Sequence, residues 1–188
     1  MWIYEKKLQY PVKITTPNAR LAGLIIDALG GPDGETGAAM RYLNQRYTMP
    51  SGKIIGTLTD IGSEELGHME IVASLVHQLT RNLTPAEITA GGFDKYYIGH
   101  GVGIYPASAS GEPFNAVAIS SKGDAICDLN EDLAADAAII KEQPLRKKSQ
   151  KPLKYKAESL APQSFSDLEP KAFSHLGKTP ENCIPAII

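Results

Sequence analysis

Between Lys53 and Leu79 the apolar positions return in alternating steps of four and three: Ile54, Leu58, Ile61, then Val72, Leu75 and Leu79. Two positions inside this series, Glu65 and His68, hold polar residues. A 4-3 repeat of this length predicts one long helix of about 28 residues, or ~42 Å, packed in a bundle along that seam. Upstream, Asn18 is a helix cap before a helix over 19–29, and Gly30-Gly31-Pro32 ends it because proline cannot continue a helix. A second segment is predicted from Asp33 to about residue 48, with Glu35, Ala38, Ala39, Tyr42 and Leu43 along one side and Pro50-Ser51-Gly52 closing it. Thr84-Pro85-Ala86-Glu87 spells a capping box with proline at the first helical position, so a short helix follows.

Residues 91–121 lose the helical period but keep Phe93, Tyr96, Tyr97, Ile98, Val102, Ile104 and Tyr105. Such a segment predicts an ordered crossover connection. A third bundle helix is predicted over 123–141, where Ile126, Leu129, Leu133, Asp136 and Ile140 again step by 3, 4, 3 and 4. From Gln143 onward the pattern dissolves. The fold expected is all-α, with a bundle over 1–141 and an atypical basic, proline-rich segment over 142–188.

Composition sharpens that division. Residues 1–140 hold 16 acids and 10 bases, a net −6, while 141–188 hold 5 acids and 9 bases, a net +4. Six of the 13 prolines lie in that last stretch, which leaves no uninterrupted fourth helix of bundle length. The 188 residues suffice for one domain. A pI near 6.1 argues against nucleic acid as a partner, and no apolar run reaches the ~20 residues of a membrane span. The opening residues lack the cationic and apolar regions of a signal peptide, and two cysteines make no disulfide framework, so a cytoplasmic setting is expected.

The chemistry sits on the seams. Glu65 and His68 occupy consecutive positions of the long helix, Asp136 occupies one on the third helix, and Glu35 and Tyr42 share a face of the second segment. A carboxylate buried among aliphatics costs several kcal/mol unless it is paired or binds a metal. A lone core histidine or glutamate is commonly satisfied by a neighbour, but Glu-x-x-His on one helix face, with carboxylate helices before and after it, forms the ligand unit of carboxylate-bridged two-metal bundles. Carboxylates and imidazole suit Mn or Fe without separating them. Other motifs fail: Gly177-Lys178-Thr179 lacks the first glycine of a phosphate loop, there is no Gly-x-Ser-x-Gly, Gly99-His100-Gly101 reads as a turn, and His77 falls off the seam.

Asn44-Gln45-Arg46-Tyr47, the Glu35 helix before it, Asp60 to Glu70, and the opening Met1 to Val12 resemble a manganese catalase, in particular the short spore-coat members of that family. The likeness runs to about Asp136. It implies a ferritin-like four-helix bundle whose dimanganese centre disproportionates hydrogen peroxide to water and dioxygen, with two ions per subunit. The resemblance makes Glu35 and His68 terminal ligands of the first manganese and Glu65 the bridging carboxylate. Tyr42 becomes the tyrosine that orients it, and Asp136 stands where the family has a glutamate. It further implies a homo-oligomer, with other spore-coat proteins as partners and the spore coat as a second location. The family carries another Glu-x-x-His on its fourth helix; this sequence has none, and His175 is the sole histidine after residue 142. A structural coat or assembly protein with a degenerate metal site is the rival expectation, and an iron-loading oxidase or store is a third.

Overall fold

The computed structural model describes residues 7, 8, 10–98 and 103–135. Its chain order is α1 (Ala19–Gly30), α2 (Glu35–Gln45) with a 3-10 turn at Arg46–Thr48, α3 (Gly52–Thr80), α4 (Pro85–Ala90), a two-strand hairpin of β1 (Tyr97–Ile98) and β2 (Gly103–Ile104), a 3-10 turn at Ala116–Ile119, and α5 over 125–135. The helices start where their caps require. Asn18 Oδ1 accepts from the Leu21 N–H at 2.9 Å, Ser51 Oγ from Ile54, and Thr84 and Glu87 complete the capping box reciprocally. Asp124 Oδ1 accepts from the N–H groups of Ile126 and Cys127 at the start of α5.

α3 has 29 residues and is the axis of the fold. The 12 residues of α1 and the 11 of α2 pack against it as two halves of one broken helix. They run antiparallel to it: the Asn18 N–H donates to the Leu79 carbonyl at 2.7 Å, so α1 begins where α3 ends. The predicted second segment is shortened at both ends, because Gly34 provides the extended residue before α2 and the chain tightens to 3-10 after Gln45. Two apolar clusters result. One joins Ala22, Ile26 and Leu29 of α1 to Val76 and Leu79 of α3 and to Phe93, Tyr96 and Ala107 of the crossover connection. The other joins Ala38 and Tyr42 of α2 to Leu58 and Ile61 of α3 and to Leu129 of α5.

The crossover is ordered over the parts described. Tyr97 pairs with Ile104 and Ile98 with Gly103, and the Tyr96 hydroxyl donates to the Ala109 carbonyl. Asp27 Oδ1 accepts the Ala109 N–H at 2.7 Å, pinning the connection across the end of α1. It passes so close that a Cβ on Gly30 would strike the backbone of Pro106 and Ala107. Arg41, 2% exposed, donates to the carbonyls of Pro32, Ala118 and Ile119, and so ties the α1–α2 break to the connection's far end.

The seam of α3 holds through Leu58, Ile61, Glu65, His68 and Leu79, all buried, while Val72 and Leu75 are half-buried. Val76 is buried in their place, about five turns on from Leu58 at 3.6 residues per turn. A straight helix drifts ~20° per heptad from a strict seven-residue repeat, in the sense of this shift. On α5, Ile126 and Leu129 are buried as expected and Leu133 is half-buried; Asp136, Ile140 and the segment 142–188 lie outside the described residues. The pattern did not announce Asp128 and Asp132, both fully buried. Asp128 accepts from the N–H groups of Lys122 and Gly123, closing the turn before α5, while burial pushes its carboxyl above the usual range. No helix among the described residues is long and apolar enough to cross a membrane.

The approach at Gly30 generates a stability contrast. Gly30→Ala should destabilise the fold by at least about 2 kcal/mol, since the added methyl meets backbone and must move the connection. Gly23→Ala, whose methyl would meet Tyr96 at 3.8 Å, should be neutral or stabilising by up to about 1 kcal/mol through helix propensity. Urea denaturation of both variants measures the difference; equal midpoints would refute the close packing.

Candidate metal centre

Antiparallel packing of a broken helix on a continuous one sets the site's position. Glu35 is the first residue of α2, just past the break, and Glu65 and His68 lie near the middle of α3. Counted from opposite ends, these positions stand at one level of the bundle. The break also places the Glu35 carboxylate at a helix N-terminus, where the helix dipole favours negative charge. One turn before Glu65 on the same face of α3, Gly62 lets α2 approach: a Cβ there would lie 2.8 Å from Leu43 Cγ and 3.2 Å from Tyr42 Cβ.

The three side chains meet. One ligand atom from each of Glu35, Glu65 and His68 falls within 4.8 Å of the others, and this is the one such three-residue group among the described residues. His68 Nδ1 lies 2.8 Å from Glu65 Oε2 and 3.8 Å from Glu35 Oε2, so that nitrogen faces both carboxylates. Its Nε2 points the other way, buried without a hydrogen-bond partner, with Glu64 Oε1 at 3.7 Å. Glu65 and His68 are 8% and 6% exposed. Tyr42, 1% exposed, is buried in the apolar cluster with Ala38, Leu58, Ile61 and Leu129.

The local field follows from these distances. Burial pushes the Glu65 carboxyl up, but hydrogen bonds with His68 and Glu35 and the charge of His68 outweigh it, leaving the carboxyl below its usual value. The hydrogen bond to Glu65 raises His68 against the opposing effect of burial, and the charges of Glu65 and Glu64 add to the rise. Three carboxylates around one imidazole make a site that attracts a cation. Two carboxylate oxygens and an imidazole nitrogen converging on one point form a donor set for a divalent first-row metal, and the residues present fit such an ion.

Of the five residues singled out in the sequence, three form the cluster, Tyr42 lies in the core beside it, and Asp136 lies outside the described residues. The periodicity passed over Glu64, because its side chain is 47% exposed and off the seam. It also passed over Arg41, whose charge reads as surface and whose burial depends on carbonyls about 80 residues away in sequence.

A sequence profile of the family described as manganese containing catalase matches residues 1–143. Protein CotJC of Bacillus subtilis is 52% identical over 136 residues, covering 72% of this chain and 71% of its own length. A probable manganese catalase of Clostridium acetobutylicum is 34% identical over 138 residues, and the match takes in 72% of this chain but 61% of that protein. A manganese catalase of Bacillus subtilis is 31% identical over 150 residues, with 73% and 55% covered. The chain thus spans less than two thirds of these catalases. Among solved structures, the manganese catalase KatB from Anabaena superposes with a TM-score of 0.73 at 23% identity, covering all of this chain and 86% of its own. That likeness establishes the fold as a ferritin-like helical bundle.

The paired shifts give the metal-free protein a defined pH response. His68's raised proton affinity contributes stability that is complete below its ordinary pKa of 6.5 and is lost as pH rises through the folded value. Glu65's lowered pKa contributes stability complete above 4.5 and lost as pH falls through its folded value. In chelator, the stability difference between wild type and His68→Ala should therefore be greatest between pH 4.5 and 6.5 and shrink towards pH 9. Thermal melts across that range check it, and a difference independent of pH would show the ion pair to be absent.

Proposed function

The chain belongs to the manganese-containing catalase family, and on that premise we propose that it is a dimanganese catalase, converting two molecules of hydrogen peroxide to two of water and one of dioxygen. The observation that supports this reading is the buried convergence of Glu35, Glu65 and His68 on one point. In this reading Glu35 and His68 would hold the first ion through a carboxylate oxygen and Nδ1, Glu65 would be the shared carboxylate, Asp136 would stand in for the family's third-helix glutamate, and Tyr42 would orient Glu65. Manganese supplies the two-electron exchange that oxidises one peroxide and reduces the other.

The chain's own groups handle binding and protons. Burial of Glu65 and His68 limits the contact of the site with bulk water. The 2.8 Å contact between His68 Nδ1 and Glu65 Oε2 is where the metal-free site stores a proton, which a cation must displace before it binds. Glu65, hydrogen-bonded to the imidazole, is the carboxylate assigned to take up or return a peroxide proton. The same reading assigns the bundle to 1–141, treats 142–188 as a separate segment, and makes the protein a homo-oligomer.

A second reading has its own support. The chain is 52% identical to CotJC but 34% and 31% identical to the catalases cited, and it has no second Glu-x-x-His. In that reading it is a structural spore-coat or assembly protein that keeps the bundle and a degenerate metal site, with other coat proteins as its partners.

Metal analysis combined with oxygen evolution separates the two. Two Mn per chain and dioxygen released from peroxide are expected for the catalase; one ion or none, with no dioxygen, would overturn it in favour of the structural role. Glu65→Gln and His68→Ala should each abolish stoichiometric metal while circular dichroism retains the helical signal, and full metal content in both variants would remove Glu65 and His68 from the site.

A further inference from the structure

The ligand reading accounts for one ring nitrogen of His68 and leaves the other. Nδ1 faces Glu65 and Glu35, whereas Nε2 is buried and without a hydrogen-bond partner. An imidazole that gives its Nδ1 lone pair to a cation keeps its single proton on Nε2. A buried N–H needs an acceptor, and metal-bound histidines generally donate their second N–H to a carboxylate, a carbonyl or water.

The acidic oxygen beside Nε2 is Glu64 Oε1, at 3.7 Å. The helix accounts for this arrangement. Adjacent residues point about 100° apart around α3, so Glu65 turns into the core while Glu64 stays at its edge. Glu64 and Glu65 precede His68 by four and three residues, and both spacings bring side chains together on a helix surface. The ring therefore stands between two carboxylates of its own helix, Glu65 on the Nδ1 side with Glu35 of α2 beyond it, and Glu64 on the Nε2 side. Glu64 is 47% exposed and free to change rotamer, and a small rotation brings its oxygen to the roughly 2.7–3.2 Å of a hydrogen bond.

We propose that Glu64 is a positioning residue: its carboxylate accepts the Nε2–H of His68 when a divalent cation occupies Nδ1, fixing the tautomer and the rotation of the ring. This rests on the reading of His68 as a metal ligand. Glu64 touches neither the ion nor the peroxide, and it acts through the imidazole alone.

The test uses the full chain with Mn(II) as titrant at one neutral pH, and Zn(II) as a diamagnetic probe for NMR of 15N-labelled protein. Glu64→Ala should weaken Mn(II) affinity by roughly 10–100-fold, the range for loss of such an outer partner. Glu64→Gln, whose amide oxygen accepts the same N–H, should recover most of it. With Zn(II) bound, the His68 Nε2–H resonance should be slow to exchange with water in wild type and in Glu64→Gln, and broadened by exchange in Glu64→Ala. Wild-type affinity and exchange in Glu64→Ala would overturn the proposal. Equal weakening in both variants with unaltered exchange would also overturn it, since the carboxylate would then act by charge alone. His68→Ala separates the levels: if it binds Mn(II) as wild type does, the ligand reading itself fails, whereas loss of metal there with no effect of Glu64→Ala removes only Glu64.

Discussion

Everything in this bundle answers to the burial of two ionisable side chains in the middle of its longest helix. Glu65 and His68 take up core positions that Leu or Val would fill at no electrostatic cost, and their 2.8 Å contact helps hold the carboxyl low and the imidazole high against the effect of burial. Glu35 is brought to the same point across the α2–α3 interface, adding negative charge where an apolar core would have none. In the proposed reading a cation resolves that conflict. The packing around the cluster, with Gly62 facing Leu43 and Tyr42, keeps α2 close enough to α3 for the three groups to converge.

The break between α1 and α2 serves the same end. An unbroken helix over 19–45 would bury Glu35 in mid-helix, whereas the Gly30-Gly31-Pro32 interruption starts a new helix at that residue, with its N-terminal dipole beside the carboxylate. The break needs support, because it exposes backbone groups and loosens α1 from α2. Asp27 supplies part of it by accepting the Ala109 N–H, and Arg41 supplies the rest by donating to Pro32, Ala118 and Ile119 carbonyls. The long connection is thus a strap over the weakest point of the bundle. Its aromatic residues, Phe93 and Tyr96, are buried against α1.

Much of this was legible in the order of residues. The 4-3 spacing predicts α3 and places Glu65 and His68 inward, and the caps at Asn18 and Thr84 set helix starts to within a residue. Spacing failed where its assumption of a strict heptad failed, so Val76 is buried while Val72 and Leu75 are only half so. It failed again for charged residues with distant partners. Arg41, Asp128 and Asp132 read as solvated by type, yet each is buried. In the case of Arg41 and Asp128 the compensating groups are backbone carbonyls and N–H groups, which carry no residue signature.

By itself the sequence determined which helices form and that Glu65 and His68 enter the core, because hydrophobic period and capping chemistry are local properties of the chain. It also specified the Glu-x-x-His pair, since three residues along one helix fix both side chains on one face. Only the tertiary structure decided that Glu35 joins that pair, that His68 turns Nδ1 towards it and Nε2 towards Glu64, and that a loop nearly 80 residues away clamps the break beside it. These depend on the antiparallel register of a broken helix against a continuous one, and that register is set by the fit of Gly62 against Leu43 and Tyr42 and by the strap across Gly30, contacts that no single segment contains.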